Sequence, residues 1–175
     1  MTGNPAETRS AESDATLVGL RWAIKGSFLD YIARAPGGTG ALSDGALATE
    51  TRQVVFGPDG EQRLTADRNG RSLAFRGTVT FKAYSGVLFV RISNPAVTIN
   101  DGIGELTVVD PFNSEGEQRL RLATFEIEDH LIVDGFEHWA ANNVRLAQEG
   151  RELFNDVYPA GELLEPITII VANKA

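Results

Sequence analysis

Apolar residues recur along this chain at two different spacings, and the change of period divides it into elements. Over residues 17–35, LVGLRWAIKGSFLDYIARA, the positions Leu17, Leu20, Ile24, Phe28 and Tyr31 fall three and four apart, which predicts an amphipathic helix with one apolar stripe. Asp14 or Thr16 would cap its first amides, and Pro36, Gly37 and Gly38 would end it. Ser27 precedes Tyr31 by one turn, so a hydroxyl and a phenol lie side by side at the margin of the stripe. Such a pair either holds a ligand or satisfies itself, and on spacing alone the face reads as core.

Residues 39–50 read as a loop with a turn at Ser43, Asp44 and Gly45, followed by a strand over 51–56. Gly57, Pro58, Asp59 and Gly60 form a strong turn signal, and a short strand is expected over 62–66. From Leu73 the period becomes two. Leu73, Phe75, Val79 and Phe81 alternate with Arg76, Thr78, Thr80 and Lys82, as in an antiparallel strand with one face on a core. Ser85 and Gly86 turn the chain into a strand over 87–92, which Asn94 and Pro95 stop. A hairpin then joins 97–99 to 105–109 through Asn100, Asp101 and Gly102.

Further strands are expected over 120–127 and 131–133, with a turn at Asn142 and Asn143. A short helix follows over 146–154, and a buried β-branched strand over 167–172. The fold class is therefore mainly β: antiparallel sheets arranged as a sandwich or barrel, with one N-terminal amphipathic helix and one short C-terminal helix.

Composition narrows the chemistry. At 175 residues and 42% hydrophobic, the chain suffices for one domain, expected over residues 17–175 after a polar, disordered arm at 1–16. A formal charge of -8 with interspersed signs argues against a nucleic-acid partner. The absence of cysteine removes disulfides and thiolate chemistry, and two histidines argue against a multi-histidine metal centre. No segment has the length of a membrane-spanning apolar run, and the N-terminus lacks a signal-peptide pattern, so the expected address of the chain as written is the cytoplasm.

Other polar groups read as structural. His130 and His138, beside Asp129 and Glu137, are read as surface histidines. Alternation puts Glu126 and Glu128 on one solvated strand face, Ser43 and Asp44 lack a base nearby in sequence, and Gly37, Gly38 and Gly40 lack a phosphate-loop lysine. Exposed strand edges would allow a homodimer.

Four blocks taken together carry a family likeness: GLRWAIKGSFLDYI (19–32), LSDGA (42–46), FRGTVTFKAYSGVLFVRISNP (75–95) and VRLAQEGRELFNDVYPAGELLEPITI (144–169). In that order they resemble the HtaA-type domain of actinobacterial haem-uptake proteins. The resemblance implies a β-rich fold in which haem sits against the N-terminal helix with a tyrosine phenolate as axial ligand to ferric iron, a ligation that proteins do use. By position Tyr31 matches that metal ligand, Ser27 matches a serine that hydrogen-bonds near the haem, and Phe28 would touch the macrocycle.

Where the family has a histidine hydrogen-bonded to the ligating tyrosine, this chain has Tyr84. A phenol can donate a hydrogen bond but serves as neither cation nor base near neutral pH, so haem affinity is expected to fall or ligation to shift, even to Tyr84 itself. Tyr84 reads equally well as an exposed aromatic at a strand end. The family is also generally secreted or surface-anchored, unlike the pattern here. Two functions follow: a haem-binding module that requires no turnover, or the same fold reassigned to another hydrophobic small molecule, as a binding protein or a cyclase-like biosynthetic enzyme.

Overall fold

In the computed structural model, which describes residues 18–59, 70–113 and 118–173, the period-two segments close into an antiparallel barrel. Strand β1 (Gly19–Trp22) pairs on one side with β12 (Ile167–Ala172) and on the other with β4 (Val54–Pro58). From β12 the ring runs through β11 (Phe136–Leu146), β10 (Arg119–Val133), β9 (Ile103–Val109), β8 (Ala96–Asn100) and β5 (Gly70–Arg76) back to β4. Every neighbouring pair is antiparallel. Closure joins the two sheet edges that an open arrangement would expose, and an eight-stranded ring is narrow enough for side chains to fill. Leu20, Trp22, Phe56, Leu73, Leu106 and Leu122 are fully buried.

Outside the ring, β3 (Leu47–Ala48) adds to β4, and a second sheet is built from β2 (Thr39–Ser43), β6 (Thr78–Ala83) and β7 (Leu88–Ser93) in the order β2, β6, β7. The even alternation from Leu73 to Phe81 is interrupted at Gly77, where φ is +133° and a Cβ would stand 2.8 Å from that of Ala46. There the chain leaves the barrel for the second sheet. Because Phe75 and Val79 keep the same parity across this corner, both are buried.

The helix expected over 17–35 is half strand. Helix α1 covers only Gly26–Arg34, while β1 takes the preceding segment and Leu17 lies outside the described residues. Leu20 and Ile24 satisfy both periods, but Trp22, also fully buried, fits only the alternation. Flanked on both sides by partner strands, Leu20, Arg21 and Trp22 gain a ladder that an isolated helix could not offer. Ile24, at φ +63°, breaks the strand direction. The helix is then started from a distance: its first amide, Gly26 N–H, donates to Glu165 Oε2 at 2.9 Å. The expected caps Asp14 and Thr16 fall outside the described residues. Pro36, Gly37 and Gly38 do end the helix, with Gly38 N–H donating to Ala35 O at 2.9 Å.

Other boundaries moved for similar reasons. The loop expected over 39–50 contains β2 and β3, and β4 continues through Gly57 and Pro58 to pair with β5 instead of turning there. The turn at Asp44 and Gly45 and the hairpin at Asp101 and Gly102 stand as expected, all four residues at positive φ. The two strands expected over 120–127 and 131–133 are one 15-residue strand with two register shifts against β11 and one against β9, and Asn142 and Asn143 lie inside β11. The short C-terminal helix consists of two 3-10 turns, Gln148–Gly150 and Glu152–Phe154. The expected strand over 62–66 and the arm at 1–16 lie outside the described residues. No helix among the described residues is long and apolar enough to cross a membrane.

The barrel has two unlike ends. At one, Trp22 faces Val54 and Ile167 and leads into α1, which lies against the second sheet. At the other lie the turns at Asp101 and Gly102 and at Asp134 and Gly135.

Candidate functional site

Helix α1 presents Phe28 and Ile32 inward and leaves Ser27 and Tyr31 exposed one turn apart. Phe28 is the anchor. Its ring meets Phe81 of β6 at 5.3 Å and Phe154 of the last 3-10 turn at 5.4 Å, both edge to face, and is 3% exposed. Packing of that quality fixes the rotation of the helix about its axis, and with it the direction of Tyr31.

Beside this anchor opens a cleft of about 350 Å³. Ser27, Phe28 and Tyr31 form one wall; Leu88, Phe154, Val157 and Tyr158 complete it. The lining is mostly apolar with a few hydroxyls, the usual make-up of a site for a hydrophobic small molecule. The structure brings Ser27, Phe28 and Tyr31 to one cleft, and it adds residues from the C-terminal turns that sequence reasoning missed. Tyr158 sits in the quoted block FNDVYPAG, and an aromatic flanked by Pro159, Ala160 and Gly161 was the available signal.

Tyr84 stands at the rim. Tyr31 donates its phenolic proton to the Tyr84 hydroxyl at 3.1 Å, so the two positions singled out in sequence, 53 residues apart, are in contact. Tyr84 opens the tight turn Tyr84–Gly86 between β6 and β7, and its amide donates to Pro36 O at 2.8 Å, tying the turn to the end of α1. Both Tyr84 and Ser85 adopt left-handed backbone, φ +54° and +56°. That conformation is uncommon for a bulky side chain and costs conformational energy that the surrounding contacts must hold in place.

Electrostatics favour the neutral phenol at Tyr31 and Tyr158. Donation to Tyr84 is the largest cause holding Tyr31 above the usual 10.0, followed by partial burial and the nearby Tyr84 and Tyr158 oxygens. Burial also raises Tyr158, and the Glu162 carboxylate adds to it. Lys25 Nζ lies 5.3 Å from the Tyr158 ring and pairs with Glu162 at 3.1 Å, closing that side of the cleft.

The remaining candidates lie elsewhere. His130 stacks on Trp139, centroids 3.5 Å apart, with Nε2 3.2 Å from Glu137 Oε1. Glu137 accepts two hydrogen bonds from Arg71, at 2.9 and 3.0 Å, at the barrel end away from α1. Asp44 accepts from the Thr78 hydroxyl, a structural contact. Among the described residues no group of three or more His, Cys, Asp or Glu could hold a metal ion. The phenol oxygens at the cleft and its rim belong to Tyr31, Tyr158 and Tyr84.

The family model described as Htaa matches residues 18–170. Among solved structures, the C-terminal domain of HtaA from Corynebacterium glutamicum is 26% identical with a TM-score of 0.72, over 89% of this chain and 97% of that one. A histidine-to-alanine variant of the same domain, a domain-swapped dimer, is 25% identical with a TM-score of 0.65, over 83% and 90%. The haem-binding protein HtaB of the same organism is 19% identical with a TM-score of 0.63, over 89% and 92%, a likeness of fold. No curated protein matches the chain.

Proposed function

The chain belongs to the HtaA family, and from that premise we propose that it is a haem-binding module in which the Tyr31 phenolate is the axial ligand of ferric haem. One observation carries the reading: the Tyr31 phenol stands at an apolar cleft with its oxygen in contact with a second hydroxyl. The donor set fits the group. Phenolate is a hard anion suited to ferric iron, and the walls supplied by Phe28, Leu88, Phe154 and Val157 suit a flat apolar macrocycle. When bound, haem would supply a ferric centre.

The chain's own residues do the rest. Tyr31 would hold the iron through its oxygen once its phenolic proton had passed to solvent, and the Tyr84 hydroxyl, which accepts from Tyr31 in the free protein, would then be the group placed to donate to the phenolate. Ser27, exposed one turn before Tyr31, offers a hydroxyl to a polar edge of the ligand. No bond of the ligand need be made or broken, so binding and release suffice as function.

Titration of the purified chain with haemin tests this. The expected result is a Soret band together with a phenolate-to-iron charge-transfer feature that Tyr31→Ala removes and Tyr84→Ala perturbs. Spectra indifferent to both substitutions would remove the site assignment. Haemin binding no stronger than to an unrelated acidic protein would turn the reading toward another hydrophobic ligand.

A further inference from the structure

All three tyrosines of the chain gather at one place: Tyr31 and Tyr158 line the cleft, and Tyr84 stands at its rim in contact with Tyr31. Axial ligation of haem uses one phenol. Four pyrrole nitrogens occupy the positions beside it, so the second phenol of the pair cannot bind the same iron and is left as a hydrogen-bond partner. The left-handed backbone at Tyr84 and Ser85 nonetheless holds that second phenol oxygen 3.1 Å from the first.

We propose that Tyr31 and Tyr84 also form a bidentate site for a bare ferric ion, a second cargo for the same cleft. Two oxygens each about 2.0 Å from one octahedral ion, and at right angles to each other, lie about 2.8 Å apart. The pair therefore has to close by only a few tenths of an ångström from its observed separation. Hard anionic oxygens favour a hard, highly charged cation, and the net charge of -8 draws cations toward the protein. Both residues are nearly half exposed, 46% and 42%, which leaves the ion's outer positions open to water or a small oxyanion.

Loading balances simply. Two phenolic O–H bonds break, two Fe–O bonds form, two protons pass to solvent, and the iron stays ferric with nothing oxidised or reduced. The proposal rests on the same pair of side chains as the haem reading but not on haem being their ligand, so the two fail separately.

The test mixes the iron-free full chain with ferric nitrilotriacetate, followed by desalting. One ferric ion per chain should be retained, with a visible phenolate-to-iron charge-transfer band and a rhombic high-spin ferric resonance. Tyr31→Phe and Tyr84→Phe should each lose the band and roughly tenfold or more in affinity. Far-UV circular dichroism and a urea midpoint close to those of the wild type serve as the check that both variants are folded. Iron that is not retained, iron retained without the band, or a band that survives Tyr84→Phe would each overturn the site. A Soret band with no ferric retention removes the ion site alone; ferric retention with no Soret band removes the haem reading alone.

Discussion

At Tyr31 the free state and the proposed haem-ligating state require opposite hydrogen bonds. The free phenol donates to Tyr84 and is held above 10.0, whereas a phenolate on iron must accept. Since binding releases a proton from a group that is protonated near neutrality, haemin affinity should rise with pH, by about tenfold per unit at most while the pH stays below the Tyr31 value. Haemin titrations between about pH 6 and 8 check this; a flat profile would mean that no phenol is ionised. Tyr84→Phe, which cannot donate to the phenolate, should weaken binding by roughly threefold to tenfold. Tyr84→His should strengthen it, because an imidazole can donate as a cation and titrates near neutrality. The pairing of Ser27 with Tyr31 was legible in sequence because a helical turn is a local relation. Tyr158 was not, because only the packing of Phe154 on Phe28 brings that turn to the helix.

At the scale of elements, the junction between β1 and α1 decides where the site stands. Leu20 and Ile24 suit either period, so spacing alone extended the helix too far toward the N-terminus, and the pairing that settled the matter comes from strands 34 and 147 residues away in sequence. Glu165 clamps this junction three times. Its side chain accepts from the Gly26 amide at 2.9 Å, its carbonyl accepts from Trp22 Nε1 at 2.8 Å, and its own amide donates to Ile24 O at 2.8 Å. Glu165→Ala removes the first contact and should cost about 1 kcal/mol, read as a lower urea midpoint with an unchanged slope. Haemin affinity should fall modestly with it as the first turn of α1 frays. Hairpins such as the one at Asp101 and Gly102 were legible because the turn residues carry their own backbone preference.

Over the whole molecule, barrel closure was not legible, since nothing local marks β1 as the strand that joins β4 to β12. Closure separates the cleft at one end from the ion cluster of Arg71, Glu137 and His130 at the other. Hydrogen bonds from Arg71, the largest cause, hold the Glu137 carboxyl below the usual 4.5 against its partial burial, with His130 assisting. A depressed carboxyl stabilises the fold above its unfolded value, and that contribution is lost as the pH falls through the folded one. Glu137→Gln should therefore cost about 2 kcal/mol near neutrality, with the gap from wild type narrowing below about pH 4. Denaturant midpoints across that range check the size, and unchanged haemin binding checks the separation of the two ends.

The central claim, that Tyr31 is the ligand, is tested most directly by resonance Raman spectra of haemin-loaded protein excited in the charge-transfer band. Iron-phenolate vibrations should be present in the wild type and in Tyr84→Phe and absent from Tyr31→Phe. Phenolate modes that persist in Tyr31→Phe, or that never appear, would contradict it.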